Sequence, residues 1–346
     1  MGLIKKIETV AGITLGGLAL VAIGVSAGPT VRNLTAQHAG TSTSRSAADA
    51  TFAVPAWDYP ASSKAGTSYL RPRGIAVLAY HQLDNGCAAT ALMCNRSGAG
   101  REILSERQFY EQMSYLHSHG YHTITDVQYD RWATHKPVAL PAKPVLLTVD
   151  DGIDNFFAPA TAVLRHFGYN MVSMVVTGFA AGSQNGVRPY AHWDASWTQL
   201  RALDPAIWGI AFHAGAQGHL LFPRACPVFY PCQLAGESSA AYQARVSADI
   251  INGKALLKRE IPSADTQMWA VPWNDLAQAG NRPQAGADPR AWLKTFVQAQ
   301  FPVIFVDAFV SHPNGEHYRF EVHGNQTLAY FIHELTVNTH AGAFYG

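Results

Sequence analysis

Residues 144–152 read Pro-Val-Leu-Leu-Thr-Val-Asp-Asp-Gly. Val145 to Val149 form an apolar and β-branched run without period-two alternation, which describes a strand buried on both faces, as in parallel sheets. The run stops at two adjacent carboxylates, Asp150 and Asp151, which cannot both face an apolar core, and Gly152 supplies a turn. Outward from this stretch the chain repeats the theme. Short apolar runs lie at Ile75–Ala79, Met171–Val176, Trp208–Phe212, Met268–Val271 and Val303–Val306. Most end in residues able to do chemistry: Tyr80 and His81, His213, Trp273 with Asn274 and Asp275, and Asp307.

Between the runs lie amphipathic helices with readable ends. Ser105-Glu-Arg-Gln108 is a capping box, Phe109, Met113 and Leu116 follow on one face, and Gly120 stops the helix. Asn155–Phe167 ends at Gly168 in the same way. Ser239 to about Lys258 carries Tyr242, Val246 and Ile250 along one stripe, and Asp288-Pro289 opens a helix through Trp292, Leu293 and Phe296. Strand–helix alternation predicts an α/β fold with a parallel sheet, open or closed into a barrel. In both architectures active sites are assembled at the carboxyl ends of the strands, where this chain gathers His, Asp and Trp.

Composition narrows the setting. The chain has 346 residues, 48% hydrophobic and 14% charged, so it is globular, and its net charge of +1 argues against a nucleic-acid partner. Lys5 and Lys6 precede an apolar run from Thr9 to about Ala27, long enough to cross a bilayer, with the basic side cytoplasmic. Val25-Ser26-Ala27 also reads as a cleavage site, so residues 1–28 are a signal peptide or a membrane anchor. Either reading places the rest of the chain outside the cell or on its surface. Residues 29–70, rich in Ala, Ser, Thr, Gly and Pro, read as a flexible linker, and residues 71–346 as the folded domain. The four cysteines form two near pairs, Cys87 with Cys94 and Cys226 with Cys232. Outside the cell such pairs oxidise, and their intervals do not match structural zinc sites.

Asp150-Asp151 has two readings. It is a turn with a helix cap behind it, or a divided site in which one carboxylate binds a metal and the other takes a proton from water. Phe212-His-Ala-Gly-Ala-Gln-Gly-His219 offers two imidazoles on a small-residue loop, with Gly215 and Gly218 free to fold the backbone back. Asp151, His213 and His219 together would make a three-ligand site with an open position for water. Trp273 and Trp193 read either as core residues or as a sugar-stacking face, with Asn274 beside them.

At these positions the chain resembles a known family. Thr148-Val-Asp-Asp-Gly152 is similar to the Thr-Phe-Asp-Asp-Gly signature of the polysaccharide deacetylase (NodB-homology, carbohydrate esterase family 4) superfamily. Ala79-Tyr-His81, the Phe109–Tyr121 segment, the His213…His219 pair and Ala270-Val-Pro-Trp273 follow that family's layout. Arg319-Phe-Glu-Val322 resembles the closing strand of the branch that deacetylates poly-β-1,6-N-acetylglucosamine. The resemblance covers about Arg73 to Leu335. It implies a distorted (β/α)₇-like barrel, Asp150 as catalytic base, and Asp151, His213 and His219 as ligands of zinc or a related divalent ion. Because that branch is similar to a circularly permuted form, His81 is implied as general acid, with His323 as competitor. The implied partner is an N-acetylated polysaccharide, acted on by a monomer. Peptidoglycan, chitin-like oligomers, acetylxylan and a non-catalytic glycan-binding role are the alternatives. Two departures stand out. The histidines are six apart, longer than usual, which leaves His192 as a substitute for His219, and no Arg-Pro-Pro motif supplies an arginine to orient the base.

Overall fold

The structure is a computed structural model that describes residues 74–83, 102–184, 194–215, 233, 236–272, 289–307 and 317–340. Its strands, in chain order, are β1 (Ala76–Tyr80), β2 (Gln82–Leu83), β3 (Ile103–Leu104), β4 (His122–Thr123), β5 (Pro144–Val149) and β6 (Met171–Val176), followed by β7 (Trp208–Ala214), β8 (Asp265–Ala270), β9 (Val303–Val306), β10 (His317–Tyr318) and β11 (Phe320–Glu321). The main sheet runs β10-β9-β8-β7-β6-β5-β1-β11, with every pairing parallel and β4 added beside β5.

The two ends of that path are one segment. β10 pairs with β9, β11 pairs with β1, and only Arg319 separates them. Arg319 donates its N–H to the Val306 carbonyl at 2.8 Å, and Val322 donates to the Ala79 carbonyl at 2.8 Å. The segment 317–322 therefore bridges the first and last long strands and brings the sheet round nearly to closure. Counted this way, the staves are β1, β5, β6, β7, β8, β9 and the split segment, as the (β/α)₇-like expectation requires.

Period two sorts each strand's side chains to two cores. Leu78, Leu147, Val149, Val175, Phe212 and Trp269 face the surrounding helices. Val77, Leu146, Val172, Met174, Ala211, Met268 and Phe305 gather with one another and with Tyr129 and Trp132, filling the barrel. Both faces are dry, which explains why the sequence shows apolar runs rather than alternation.

The capping box at Ser105 holds: its Oγ accepts the Gln108 N–H at 3.2 Å and Gln108 Oε1 accepts the Ser105 N–H at 3.0 Å. The helix it opens spans Glu106–Ser118 and buries Phe109, Met113 and Leu116. The helix read at 155–167 spans Asp154–Phe167 and ends on left-handed Gly168, while the one from Ser239 continues to Glu260. A helix at Pro289–Gln300 starts on its proline as read, with Asp288 outside the described residues.

Three readings are corrected. β7 runs through His213 to Ala214, because Val176 still pairs with Ala214, so His213 is a strand residue and not a loop residue. β8 begins at Asp265, earlier than the apolar pattern, since its first residues are half-exposed and carry no hydrophobic signal. The sequence reading also passed over a helix at Asp126–Ala133, which Thr125 and Gln128 cap reciprocally. Among the described residues no helix is long and apolar enough to cross a membrane. The apolar segment from Thr9 to Ala27, the linker and all four cysteines lie outside the described residues.

Candidate active site

Asp150 follows β5 directly, two positions after Thr148 and four after Leu146, so it stands at the mouth of the filled barrel. Its N–H donates to the Tyr80 carbonyl at 2.9 Å, locking it to the end of β1. The carboxylate is 2% exposed and receives both arms of Arg319: Nη1 to Oδ1 and Nη2 to Oδ2, each 2.7 Å. Arg319 is itself fully buried and turns its other edge to Asp307, through Nε at 2.8 Å and Nη2 at 3.0 Å. Nη1 also reaches Thr148 Oγ1 at 3.2 Å. One planar guanidinium thus serves two carboxylates, a geometry an ammonium could not reproduce. Burial alone would raise the Asp150 carboxyl, but Arg319, His213 and His81 override it and hold the group below the ordinary carboxylate range. Asp307 goes the other way: burial and the Asp150 charge together outweigh Arg319 and push it up.

Asp151 adopts φ +69°, a left-handed conformation uncommon for a side-chain-bearing residue, and Gly152 follows at φ +74°. Two left-handed residues in succession swing the chain off the strand and send the two carboxylates different ways. Asp151 Oδ1 lies 3.4 Å from His213 Nε2. His213 is 3% exposed, and its Nδ1 donates to the Ala270 carbonyl at 2.8 Å. That bond assigns the proton to Nδ1 and leaves the Nε2 lone pair facing Asp151. Its backbone carbonyl is held in turn by Trp269 Nε1 at 2.7 Å. Two ligands at about 2.0–2.1 Å from a tetrahedral zinc ion stand roughly 3.3–3.4 Å apart, so this pair fits a metal in both spacing and donor chemistry. Burial would lower the His213 imidazole, but Asp150 and Asp151 raise it, the charge balance a cation would otherwise supply.

His81 follows β1 and places Nε2 4.0 Å from Asp150 Oδ2. Burial works against its charge, yet Glu102, Asp150, Asp151 and Glu321 surround it and raise it to about 9. Imidazolium is therefore its form at neutral pH. Glu102, Glu321 and His81 bring their donor atoms within 4.8 Å of one another. His323 does not enter this group directly: it pairs through Nε2 with Glu321 Oε2 at 3.2 Å.

Of the sequence-read site residues, Asp150, Asp151, His81 and His213 converge at one barrel mouth. His219, His192, Trp193, Trp273 and Asn274 lie outside the described residues. Sequence reasoning missed Glu102 and did not recognise Arg319 as the arginine that orients the Asp150 carboxylate. Arg319 carried one usable signal, an arginine at the start of a short apolar closing strand. Asp307 was noticed as a strand end but given no role.

Comparison with protein families and with curated proteins gives no match. Solved structures do match. The chain is similar to a de-N-acetylase from Aggregatibacter actinomycetemcomitans, at 18% identity and a TM-score of 0.56 over 75% of this chain and 98% of that one. It is similar to the Streptococcus pyogenes deacetylase PplD in complex with acetate, at 14% identity and a TM-score of 0.52 over 76% of this chain and 99% of that one. IcaB from Ammonifex degensii matches at 19% identity and a TM-score of 0.51, over 80% of this chain and 99% of that one. The identities are low, so what these structures share with the chain is the fold. The chain therefore carries the fold of the polysaccharide deacetylases, as its Thr148–Gly152 motif implies.

Proposed function

We propose that this chain is an exported, divalent-metal-dependent hydrolase that removes N-acetyl groups from a polysaccharide of the poly-N-acetylglucosamine type. One observation carries the reading: a buried carboxylate held ionised by Arg319, Asp150, stands between the imidazolium of His81 and the Asp151–His213 pair. Base, acid and metal donors then flank one point. Names borne by proteins of similar fold, a de-N-acetylase and a deacetylase holding acetate, agree with it. The basic and apolar residues 1–28 support export, to the cell surface or beyond.

Asp151 and His213 would hold the ion, with His219 as third ligand. A divalent ion bound there supplies Lewis acidity toward the amide carbonyl and lowers the pKa of the attacking water. Asp150 accepts the proton of that water as its oxygen adds to the carbonyl carbon. Arg319 fixes the carboxylate plane and disfavours its protonation at rest. The carbon–nitrogen bond then breaks, His81 gives its proton to the departing sugar amine, and acetate leaves. The Ala270 carbonyl keeps His213 in one tautomer throughout.

The test is acetate release by the purified protein from poly-β-1,6-N-acetylglucosamine, chitin oligomers, peptidoglycan and acetylxylan. Release from the first substrate is expected, and turnover confined to acetylxylan would replace the amide reading with an ester one. Asp150→Asn should retain metal while turnover falls by roughly 10²–10⁴. Alanine at Asp151, His213 or His219 should instead lower the bound metal in elemental analysis.

A further inference from the structure

We propose that His81, Glu102 and Glu321 form a second divalent-cation site, and that an ion bound there switches the enzyme off by occupying its proton donor. The inhibitory part rests on the reading of His81 as general acid; the site itself does not. The donor set is one imidazole nitrogen and two carboxylates, all within 4.8 Å of one another, a combination that suits zinc. A zinc ion with ligand distances of about 2.0–2.2 Å separates its donors by roughly 3–4 Å, so a small rotation of the two glutamate side chains closes the set.

A second observation is independent of the carboxylates. Among the described residues, His81 Nδ1 is shut off from solvent and has no hydrogen-bond partner. A buried ring nitrogen left in that state is costly unless something occupies it. Glu321 is shared, since one of its oxygens pairs with His323 at 3.2 Å, but a carboxylate has lone pairs enough for both partners.

Charge points the same way. Around His81 stand Glu102 and Glu321, with Asp150 and Asp151 beyond them. Arg319 is committed to Asp150 and Asp307, and an ion at the first site would be held by Asp151 and His213. One imidazolium balances one of the two glutamates. A divalent ion on the neutral ring balances both.

Occupancy and catalysis exclude each other. Imidazolium needs a proton on each ring nitrogen, so an ion on either one abolishes it, and the sugar amine then has no donor when the carbon–nitrogen bond breaks. Excess metal should therefore act against the reaction that a first ion supports.

Equilibrium dialysis of the full-length, metal-stripped protein against increasing zinc, read by elemental analysis, tests the site without using activity. The parent should bind one ion tightly and a second weakly. Asp151→Ala should lose the tight class and keep the weak one, whereas Glu102→Gln and Glu321→Gln, singly or together, should weaken only the second, by roughly 10- to 100-fold. The acetate-release rate of the parent should rise with zinc and then fall, and the falling limb should move to higher zinc in both glutamine variants, each scaled to its own maximum. One ion at all concentrations, or a falling limb unchanged in both variants, overturns the proposal. Two ions in a protein that releases no acetate would uphold the site and remove the deacetylase reading.

Discussion

Asp150 shows how one side chain's chemistry is set by partners chosen far along the chain. Its two oxygens meet both arms of a guanidinium that is wholly buried, and a carboxylate in that grip resists protonation. His81 is shifted in the opposite sense: burial opposes its charge, but four carboxylates carry it to about 9. The signs define a pH–rate profile. Under the proposed mechanism, His81 loses above about pH 9 the proton it would donate, and activity should fall. Below the depressed Asp150 value the base is lost, so the acid limb should lie lower than for an ordinary carboxylate. Between them the rate should be flat. His81→Gln should remove the basic limb with metal content unchanged, and Arg319→Met should move the acid limb upward in pH. A profile unchanged in Arg319→Met would show that the arginine does no more than hold the fold.

At the scale of the element, the helix Asp126–Ala133 closes the lumen with Tyr129 and Trp132, and places Asp126 where burial is severe. Gly209 on β7 leaves it room, since a Cβ there would stand 3.2 Å from Asp126 Oδ2. Burial, with Asp265 and Asp130 adding to it, raises Asp126 from 3.8 to about 6, although the Val127 N–H works against the rise. A carboxyl with a raised folded-state pKa favours the fold at low pH, and that contribution is lost as pH rises from about 4 through 6. Asp126→Asn keeps an oxygen for the Val127 N–H and removes the charge. It should raise unfolding free energy at pH 7.5 by up to about 2–3 kcal/mol and flatten the dependence between pH 4 and 6. Urea unfolding of both proteins at pH 5 and 7.5 checks it; equal destabilisation at the two pH values would mean the carboxylate is needed for geometry instead. Close approach matters in a second element. The helix Ser239–Glu260 lies so near β7 that a Cβ on Gly215 would meet Asp249, and one on Gly253 would meet the Phe212 ring. The sequence suggested backbone freedom for Gly215; its described role is to admit a helix.

The molecule as a whole depends on the split segment 317–322. By pairing with β9 on one side and β1 on the other, it joins the ends of the sheet, and the residue at the split is the one that reaches Asp150. Fold closure and site assembly are thus one event. The proposed export makes a separate prediction for the four cysteines, which lie outside the described residues. Non-reducing peptide mapping should find Cys87 joined to Cys94 and Cys226 joined to Cys232. Each short bridge should contribute only about 2–3 kcal/mol, so reduction should leave the barrel folded. Free thiols in the native protein, or a crossed pairing, would count against it.

The sequence by itself determined the six longer strands, the helix cap at Ser105 and the acidic strand end, because all three are written in neighbouring residues. Apolar runs such as Val145–Val149 follow from burial on two faces, and Ser105 with Gln108 caps a helix whatever packs beyond it. His213 was legible for the same reason, as an imidazole ending an apolar run. The arginine that holds Asp150 was not, since Arg319 lies 169 residues from Asp150 and no periodicity links them. Glu102 and Glu321 were equally silent, one beside the short β3 strand and the other inside β11, each polar for no local reason. Only the closing of the barrel brought these side chains to His81 and Asp150, because the partner of a buried charge is set by which strand ends meet, a property of the whole packed sheet.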